Sequence, residues 1–382
     1  MTRVGQWYTN GILRKKIDRN ACYIWFHAAS LGEFEQGRPM IEAIRKQYTG
    51  YKILLTFFSP SGYEVRKNYD KADVICYLPF DTPYKVRKFI NLANPSVAVF
   101  IKYEFWMNYL TELKKRNIKI YLISAVFRPS QLFFKWYGRW YRKALLCYER
   151  LFVQDDASKK LLASYGINNV EVCGDTRFDR VLEIQQSARL LPEVETFAKG
   201  DQPILVVGSS WPGDEEIIIP YFNSHPEIKL IIAPHEIHRE HLLYIQSLLN
   251  RPAVRLSEAT ADMLQTNDCL IIDSFGMLSS IYRYGWVAYI GGGFGKGIHN
   301  TLEAAVYGIP VIFGPNHQKF KEARGLISYG GGFSISNKSA FEKHMHNFIT
   351  NTSSYRKAGI AAGEFVYQNA GATKKILSFL GL

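Results

Sequence analysis

The feature that most constrains this chain is a regular alternation of short apolar runs with amphipathic stretches along 382 residues. Each run is almost continuously apolar, which is typical of strands in a parallel sheet that is covered on both faces. The stretches between them carry helical spacing, for example Pro39–Tyr48 and Phe105–Asn117. The predicted strands are Tyr23–His27, Lys52–Phe58, Val74–Leu78, Val97–Ile101, Lys119–Ser124, Leu151–Gln154, Val170–Cys173, Ile204–Gly208, Lys229–Ala233, Cys269–Ile272, Val287–Ile290 and Val311–Phe313. The pattern predicts an α/β fold with two doubly wound parallel sheets facing across a cleft.

A polar stretch around Gln185–Gln202, with Pro192 and Gly200, divides the two sets of strands. It predicts a linker between a first domain of residues 1–188 and a second domain of residues 189–382. We expect the last helix of the second domain to pack back on the first.

The charge is distributed unequally between the two halves. Residues 1–190 contain 31 Lys and Arg against 17 Asp and Glu, whereas the remainder is almost neutral, so the first half carries the whole net charge of +13. Such an imbalance predicts an anionic partner for the first half: nucleic acid, a membrane surface or an acidic substrate. Five scattered cysteines favour a reducing cytosol, and the polar start of the chain is typical of neither a signal peptide nor an anchor.

The stretch GGGFGKGIHNTLEAAVYGIPVIFGP follows the predicted strand Val287–Ile290. Its spacing does not fit the nucleotide-triphosphate loop, which requires a glycine five residues before Gly-Lys and Ser or Thr after it. Asn300 is a suitable N-cap, and Glu303 stands three residues later. Glycines beside a helix N-terminus favour a bound phosphate, but the same residues also fit a capping box that only closes the helix.

Polar or glycine-bearing segments follow several of the predicted strands, where ligands of such sheets bind. In chain order these segments include HAASLGEFEQGRP, KYEFWMN, GDTRFDR, GSSWPGDEE, DSFGMLSSIYRYGWVAYIGGGF and GIHNTLEAAVYGIPVIFGP. Together they resemble the Kdo transferases, from about Trp25 to the last helix. These are glycosyltransferases of the GT-B fold, with two Rossmann-like domains, that move 3-deoxy-D-manno-octulosonic acid (Kdo) from CMP-Kdo onto the lipid A precursor.

The resemblance implies three catalytic residues in the first domain. Glu33 would be the general base, since an alcohol that attacks an anomeric carbon needs a carboxylate within hydrogen-bond reach. Glu104 matches the second glutamate of the family, and Arg177 matches a basic residue, often lysine, that stabilises the transition state. Without the family, Glu33 fits an acid that complements a helix dipole, and Arg177 fits a surface ion pair with Asp175 or Asp179.

The resemblance also implies that the first domain binds the acceptor and the second domain binds CMP-Kdo, with inversion at the anomeric carbon. Other members often have arginine in place of His235 and glutamate in place of Met277, which leaves those two side-chain contacts open. No metal and no cofactor are expected, and the spacing of His235, His238 and His241 departs from the zinc motif HExxH. The nucleotide-binding residues would be Pro234, His235, Phe275, Gly276, Met277, Asn300, Thr301, Leu302 and Glu303.

Residues 131–143 interleave aromatic and basic side chains, a composition that suits a membrane interface, although a core helix with a basic face is the alternative. The expected partners are therefore CMP-Kdo, a lipid A precursor and an anionic membrane surface, with no nucleic acid. The expected location is the cytoplasmic face of the bacterial inner membrane. The family usually carries an N-terminal anchor, so we expect either peripheral attachment or an anchoring segment that is absent from this sequence.

Two other functions remain open from the sequence. Another GT-B enzyme that uses a UDP- or GDP-sugar would need a similar phosphate site. A basic nucleic-acid-binding protein would fit the pI near 9.3 and the many aromatic residues, but no recognition motif of that class is present.

Overall fold

The computed structural model describes residues 2–381, and the side chains of residues 8–381. It divides into two compact units: one contains the residues up to Arg180 together with those from Asn369 onward, and the other spans Val181–Gln368. The predicted roles of the two domains in acceptor and donor binding stay predictions. The polar start of the sequence includes Met1, which lies outside the described residues.

The first unit is built on a seven-stranded sheet in which every pairing is parallel and the strand order is β3-β2-β1-β4-β5-β6-β7. The strands are β1 Cys22–Ala28, β2 Tyr51–Phe57, β3 Val74–Tyr77, β4 Pro95–Ile101, β5 Lys119–Ala125, β6 Arg150–Val153 and β7 Val170–Val172. The helices up to the end of this sheet are α1 Thr2–Lys16, α2 Leu31–Gln47, α3 Pro60–Arg66, α4 Pro83–Ala93, α5 Met107–Lys115, α6 Arg139–Leu145, α7 Asp156–Ala163 and α8 Thr176–Gln186.

The second unit contains another all-parallel seven-stranded sheet, with the order β10-β11-β9-β8-β12-β13-β14. Its strands are β8 Ile204–Ser210, β9 Lys229–Pro234, β10 Ala253–Arg255, β11 Cys269–Ile271, β12 Val287–Ile290, β13 Val311–Phe313 and β14 Gly332–Ser334. The remaining helices are α9 Pro192–Phe197, α10 Pro212–Asn223, α11 Arg239–Leu248, α12 Ala261–Thr266, α13 Leu278–Ile281, α14 Leu302–Ala305, α15 Lys321–Tyr329, α16 Lys338–Thr350, α17 Thr352–Asn369 and α18 Ala372–Leu380. The prediction of two doubly wound parallel sheets is confirmed.

Both faces of the first sheet are buried, as its continuous apolar strands predict. Along β1, Trp25 packs into the core on one face, while Ile24 and Phe26 pack into the core on the other. Helix α18 contributes Ile376 and Leu380 to this second core, where it packs against α2. None of the described helices is long and apolar enough to cross a bilayer.

Four local predictions were wrong or incomplete. The short edge strands β10 and β14 were missed, since each contains only one large apolar residue and no apolar run. Helix α2 begins at Leu31, because Pro39 is accommodated inside the helix instead of starting it. The predicted linker contains helix α9, whose Val194 and Phe197 are fully buried. The predicted helix after Asn300 is only the four-residue α14, with its N-cap at Thr301.

Candidate functional site

Each sheet has a point where the chain direction across the sheet reverses, and ligands of doubly wound folds bind beside that point. In the first sheet it lies between the neighbouring strands β1 and β4, and in the second between β8 and β12. The segments that carry Glu33 and Glu104 follow β1 and β4. The segments that carry Trp211 and the glycine run Gly291–Gly293 follow β8 and β12.

Glu33 lies in the first turn of α2, three residues after the N-cap Ser30. Its Oε2 accepts hydrogen bonds from the backbone N–H of Ala29 at 2.7 Å and of Ser30 at 3.3 Å. Glu33 therefore helps to cap α2, in the first helical turn where an acid also complements the helix dipole. Neither bond uses Oε1, which accepts no hydrogen bond from the described residues. One oxygen therefore fixes the carboxylate while the other remains able to accept a proton.

The surroundings of Glu33 make its carboxylate a stronger base than usual. Burial raises the pKa of Glu33 above its ordinary value, and the negative charge of Glu104 raises it further. The hydrogen bond from Ala29 and the positive charge of Lys102 oppose this rise in pKa. Lys102 directly follows β4 and has φ = 71°, a left-handed conformation that is costly for a residue with a side chain.

Glu104 is 6% exposed and is held by two ring N–H groups. Its Oε2 lies 3.1 Å from Nε2 of the fully buried His27 and also accepts a hydrogen bond from Nε1 of Trp106. Because an ionised carboxylate can only accept, Nε2 of His27 donates to Glu104. Nδ1 of His27 lies 2.9 Å from Oγ1 of Thr56, which fixes the other side of the ring.

Arg177 lies at the start of α8, next to Thr176, whose hydroxyl donates to the carbonyl of Gln36 on α2 at 2.5 Å. This bond places the start of α8 beside the helix that carries Glu33. The guanidinium of Arg177 donates to Oδ2 of Asp175 from Nε at 3.0 Å and from NH2 at 2.7 Å. The ion pair with Asp175 that the sequence left open is therefore present, and it orients the guanidinium.

In the second unit, three rings form one wall of a cavity of ≈590 Å³. His235 follows β9 and stacks on Trp211 at 4.7 Å and on His299 at 4.5 Å between ring centroids. Nε1 of Trp211 donates to Nε2 of His299 at 3.2 Å. The hydrogen bond between Trp211 and His299 joins these two rings, so the three rings form one cluster.

The buried carboxylate of Asp214 fixes the backbone around these three rings. Asp214 is 1% exposed and accepts hydrogen bonds from Trp211 N at 3.0 Å, Gly292 N at 2.8 Å and the hydroxyl of Tyr289 at 2.8 Å. Burial raises the pKa of Asp214, and these three bonds oppose the rise in pKa. Gly292 has φ = 88°, and a Cβ there would lie 2.5 Å from the carbonyl oxygen of Gly297, so the turn requires glycine.

The three histidines whose spacing was compared with the zinc motif each have a different structural role. His235 belongs to the ring stack, and His238 caps α11 by accepting from the N–H of His241 at 3.2 Å. Nδ1 of His241 lies 2.8 Å from the carbonyl oxygen of Glu236, and its Nε2 lies 3.0 Å from the carboxylate of Glu215.

The other predicted nucleotide residues lie in two segments, after β11 and after β12. Phe275 is 75% exposed, and Gly276 has φ = 86°. Asn300 accepts from Leu302 N at 3.2 Å and donates from Nδ2 to Glu303 at 2.9 Å. Asn300 thus closes the turn that starts α14, although the helix is much shorter than the pattern predicted.

No individual role was predicted for His27, Trp211, Asp214 or His299, although all four lie in segments that carry the family resemblance. The signal for Asp214 was present, since Trp211-Pro212-Gly213-Asp214 has the spacing of a helix start. No pattern could reveal the ring stack, because its members come from three separate loops.

The aromatic and basic segment forms two short 3-10 helices, Leu132–Phe134 and Trp136–Gly138, followed by α6. Phe133 and Phe134 are buried and anchor the segment. Four aromatic side chains remain exposed on it: Trp136 at 91%, Tyr137 and Trp140 at 56%, and Tyr141 at 42%.

Comparison with known proteins gives consistent results. A family profile described as 3-deoxy-D-manno-octulosonic-acid transferase matches residues 5–180. The 3-deoxy-D-manno-octulosonic acid transferase of Haemophilus influenzae is 27% identical over 94% of this chain and 86% of its own length. The enzyme of the same name from Aquifex aeolicus is 28% identical over 82% of each chain. The crystal structure of UDP-GlcNAc 2-epimerase from Neisseria meningitidis is similar in fold, with a TM-score of 0.67, 16% identity and coverage of 94% of this chain and 99% of that one.

Proposed function

Because the chain belongs to the family of 3-deoxy-D-manno-octulosonic-acid transferases, we propose that it transfers Kdo from CMP-Kdo to a hydroxyl of a lipid A precursor, with Glu33 as the general base. The enzyme is a glycosyltransferase of lipopolysaccharide biosynthesis. We propose the lipid A precursor as its acceptor, inversion as its stereochemistry, and Glu33, Glu104 and Arg177 as its catalytic residues.

The state of Glu33 is the observation that carries this proposal. One carboxylate oxygen is fixed by the backbone of α2, the other accepts no bond from the described residues, and burial and Glu104 raise the pKa of the group. A base is most effective when its pKa lies close to the working pH while the group stays ionised. The raised pKa brings the carboxylate of Glu33 closer to this condition than an ordinary glutamate.

The reaction would be a single displacement that inverts the anomeric carbon. The acceptor hydroxyl oxygen forms a bond to that carbon while the bond from the carbon to the CMP phosphate oxygen breaks. The proton of the hydroxyl passes to Oε1 of Glu33, and the electron pair of the broken bond leaves with CMP. Glu104, fixed by His27 and Trp106, raises the basicity of Glu33, and Arg177 would stabilise developing negative charge.

The nucleotide would bind to the second unit at residues that follow its strands. Pro234 ends β9 and His235 follows it. Phe275, Gly276 and Met277 follow β11, and Asn300, Thr301, Leu302 and Glu303 follow the glycine run after β12. Their positions at strand carboxyl ends support a donor site. His235 stacks on both Trp211 and His299, so it would offer the ligand only the part of its ring that they leave uncovered.

The lipid acceptor would reach the enzyme at a membrane surface. Exposed Trp and Tyr side chains suit the headgroup region, and Lys135, Arg139 and Lys143 beside them suit anionic lipid phosphates. The chain would then act at the cytoplasmic face of the inner membrane, and its excess of positive charge in residues 1–190 supports an anionic acceptor.

The first test is incubation of the purified protein with CMP-Kdo and a lipid A precursor, with EDTA and no added metal, followed by mass spectrometry of the lipid. Stepwise addition of Kdo masses would support the donor, the acceptor and the absence of a metal requirement. Addition only after a divalent metal is restored would contradict the metal-free mechanism. No added mass under either condition, or transfer from a UDP- or GDP-sugar instead, would overturn the proposal.

A further inference from the structure

The cavity beside the ring stack is not accounted for by the proposed nucleotide contacts. It is lined by Trp211, His235, Phe294, Lys296, His299 and the surrounding glycine backbone. Of the residues proposed to bind CMP, only His235 belongs to this lining. Most of the cavity is therefore left for a part of the donor other than the nucleotide.

The polar groups of the cavity favour an anion. The Asp214 carboxylate also lines it, but its oxygens already accept bonds from Trp211, Gly292 and Tyr289. Lys296 is exposed, and no carboxylate among the side chains of residues 8–381 lies within ion-pair distance of its ammonium group. An unpaired ammonium in a cavity with apolar ring walls suits a ligand that combines one negative charge with a carbon skeleton.

The hydrogen bond from Trp211 determines the protonation state of His299. An indole N–H only donates, so Nε2 of His299 must offer its lone pair, and the proton of the neutral ring is on Nδ1. Burial is the larger cause that lowers the pKa of His299, and the charge of His235 lowers this pKa further. Both effects agree with a neutral ring. His299 is thereby a neutral donor at Nδ1 and not a second positive charge.

We propose that Lys296, His299 and Trp211 form the subsite for the sugar acid of the donor. Lys296 binds the carboxylate, Nδ1–H of His299 donates to a ring or hydroxyl oxygen, and the rings pack against the carbon skeleton. Trp211 is a positioning residue, because it acts through the tautomer of His299. This inference rests on the proposed function, since it divides CMP-Kdo between the nucleotide residues and this cavity.

The test compares binding of CMP-Kdo with binding of CMP in the full-length protein. Lys296→Met should raise the Kd or KM for CMP-Kdo about tenfold and leave the inhibition constant of CMP within twofold. Lys357→Met, an exposed lysine on α17, is the matched control and should change neither. Equal weakening of CMP and CMP-Kdo would place the nucleotide in the cavity and overturn the subsite, as would no change in either.

A second variant tests the tautomer. Trp211→Phe keeps a stacked ring but removes the N–H donor, so 15N spectra of labelled histidine should show His299 leaving the Nδ1–H tautomer, together with weaker CMP-Kdo binding. An unchanged tautomer would contradict the positioning role. If the wild-type protein neither binds CMP-Kdo nor transfers Kdo, the proposed function itself fails before any variant is compared.

Discussion

At the scale of single residues, Glu33 combines a structural role at the start of α2 with the proposed role of general base. It completes the capping of α2 through Oε2, and it keeps Oε1 available at the carboxyl end of β1. The backbone bonds that define the cap also fix the position of the proposed base. A structural role for this glutamate therefore supports the catalytic one.

Glu33→Gln separates these roles, because glutamine still accepts the backbone hydrogen bonds but cannot take a proton. We expect the rate of Kdo transfer to fall by about 10²–10⁴-fold, the usual contribution of a general base, with CMP-Kdo affinity almost unchanged. Steady-state kinetics and donor titration measure the two effects. Glu64→Gln, on the surface of α3, serves as the control. Loss of donor binding in Glu33→Gln would contradict the assignment.

The pH dependence of transfer should follow the raised pKa of Glu33. Protonation removes the base, so we expect activity to fall as the pH drops through a pKa that lies above the ordinary value of 4.5. In Glu104→Gln the negative charge that helps to raise this pKa is gone, and the acidic limb of the profile should move to lower pH. The limb should not disappear, since burial is the larger cause. A limb at the same pH in both proteins would refute the electrostatic coupling.

At the scale of secondary-structure elements, short polar contacts connect helices that are distant in the sequence. The carboxylate of Asp179 on α8 accepts from the N–H of Gly371 at 2.5 Å and from the N–H and hydroxyl of Thr373 at 2.7 Å. These donors belong to the start of α18. The last helix is thus held in the first unit by a side chain two residues after Arg177.

Asp179→Ala should lower the free energy of unfolding by about 1–2 kcal/mol, the usual effect of removing a helix cap. Urea denaturation followed by circular dichroism measures this change. Asp70→Ala is the control, since its carboxylate is 72% exposed and pairs only at the surface. Equal stability of the two variants would mean that α18 is held by its apolar face alone.

The exposed aromatic segment of residues 131–143, which includes the start of α6, is the element that we expect to contact lipid. Trp136→Ala combined with Trp140→Ala should reduce binding to anionic vesicles about tenfold, because both indoles are largely exposed and unable to contribute to the core. Vesicle sedimentation measures the change. Tyr367→Ala removes an exposed aromatic ring from α17 and should have no effect. Unchanged binding of the double variant would place the membrane contact elsewhere.

At the scale of the whole molecule, the charge imbalance should attract the lipid acceptor more strongly than the nucleotide-sugar donor. Residues 1–190 carry the excess of basic residues, and the rest of the chain is almost neutral. Long-range attraction should therefore act mainly on the acceptor in its anionic membrane, whereas the donor is held by contacts at short range.

Raising the salt concentration from about 0.1 M to about 1 M shortens the screening length from about 10 Å to about 3 Å. We expect the apparent KM for lipid acceptor in anionic vesicles to rise several-fold, with a smaller change in the KM for CMP-Kdo. Neutral detergent micelles provide the control, in which the effect of salt on the acceptor should be weaker. Equal salt effects on both substrates would contradict the division of charge.

The sequence alone determined the architecture, because strand periodicity and continuous apolar runs depend on local properties of the chain. Twelve of the predicted strands occur within two residues of their predicted ends. The two missed strands each contain one large apolar residue, Val254 or Phe333, and therefore no apolar run to recognise. The order of the motifs along the chain likewise indicates the family, because it is a property of the sequence alone.

Only the tertiary structure decided which side chains meet. The bond between His27 and Glu104 joins residues 77 positions apart, and the one between Trp211 and His299 joins residues 88 apart. The raised pKa of Glu33 and the neutral state of His299 follow from burial and neighbours that no local pattern contains. Periodicity reports which face of an element is buried, but contacts between loops depend on strand order, and strand order is fixed only when the sheets are assembled.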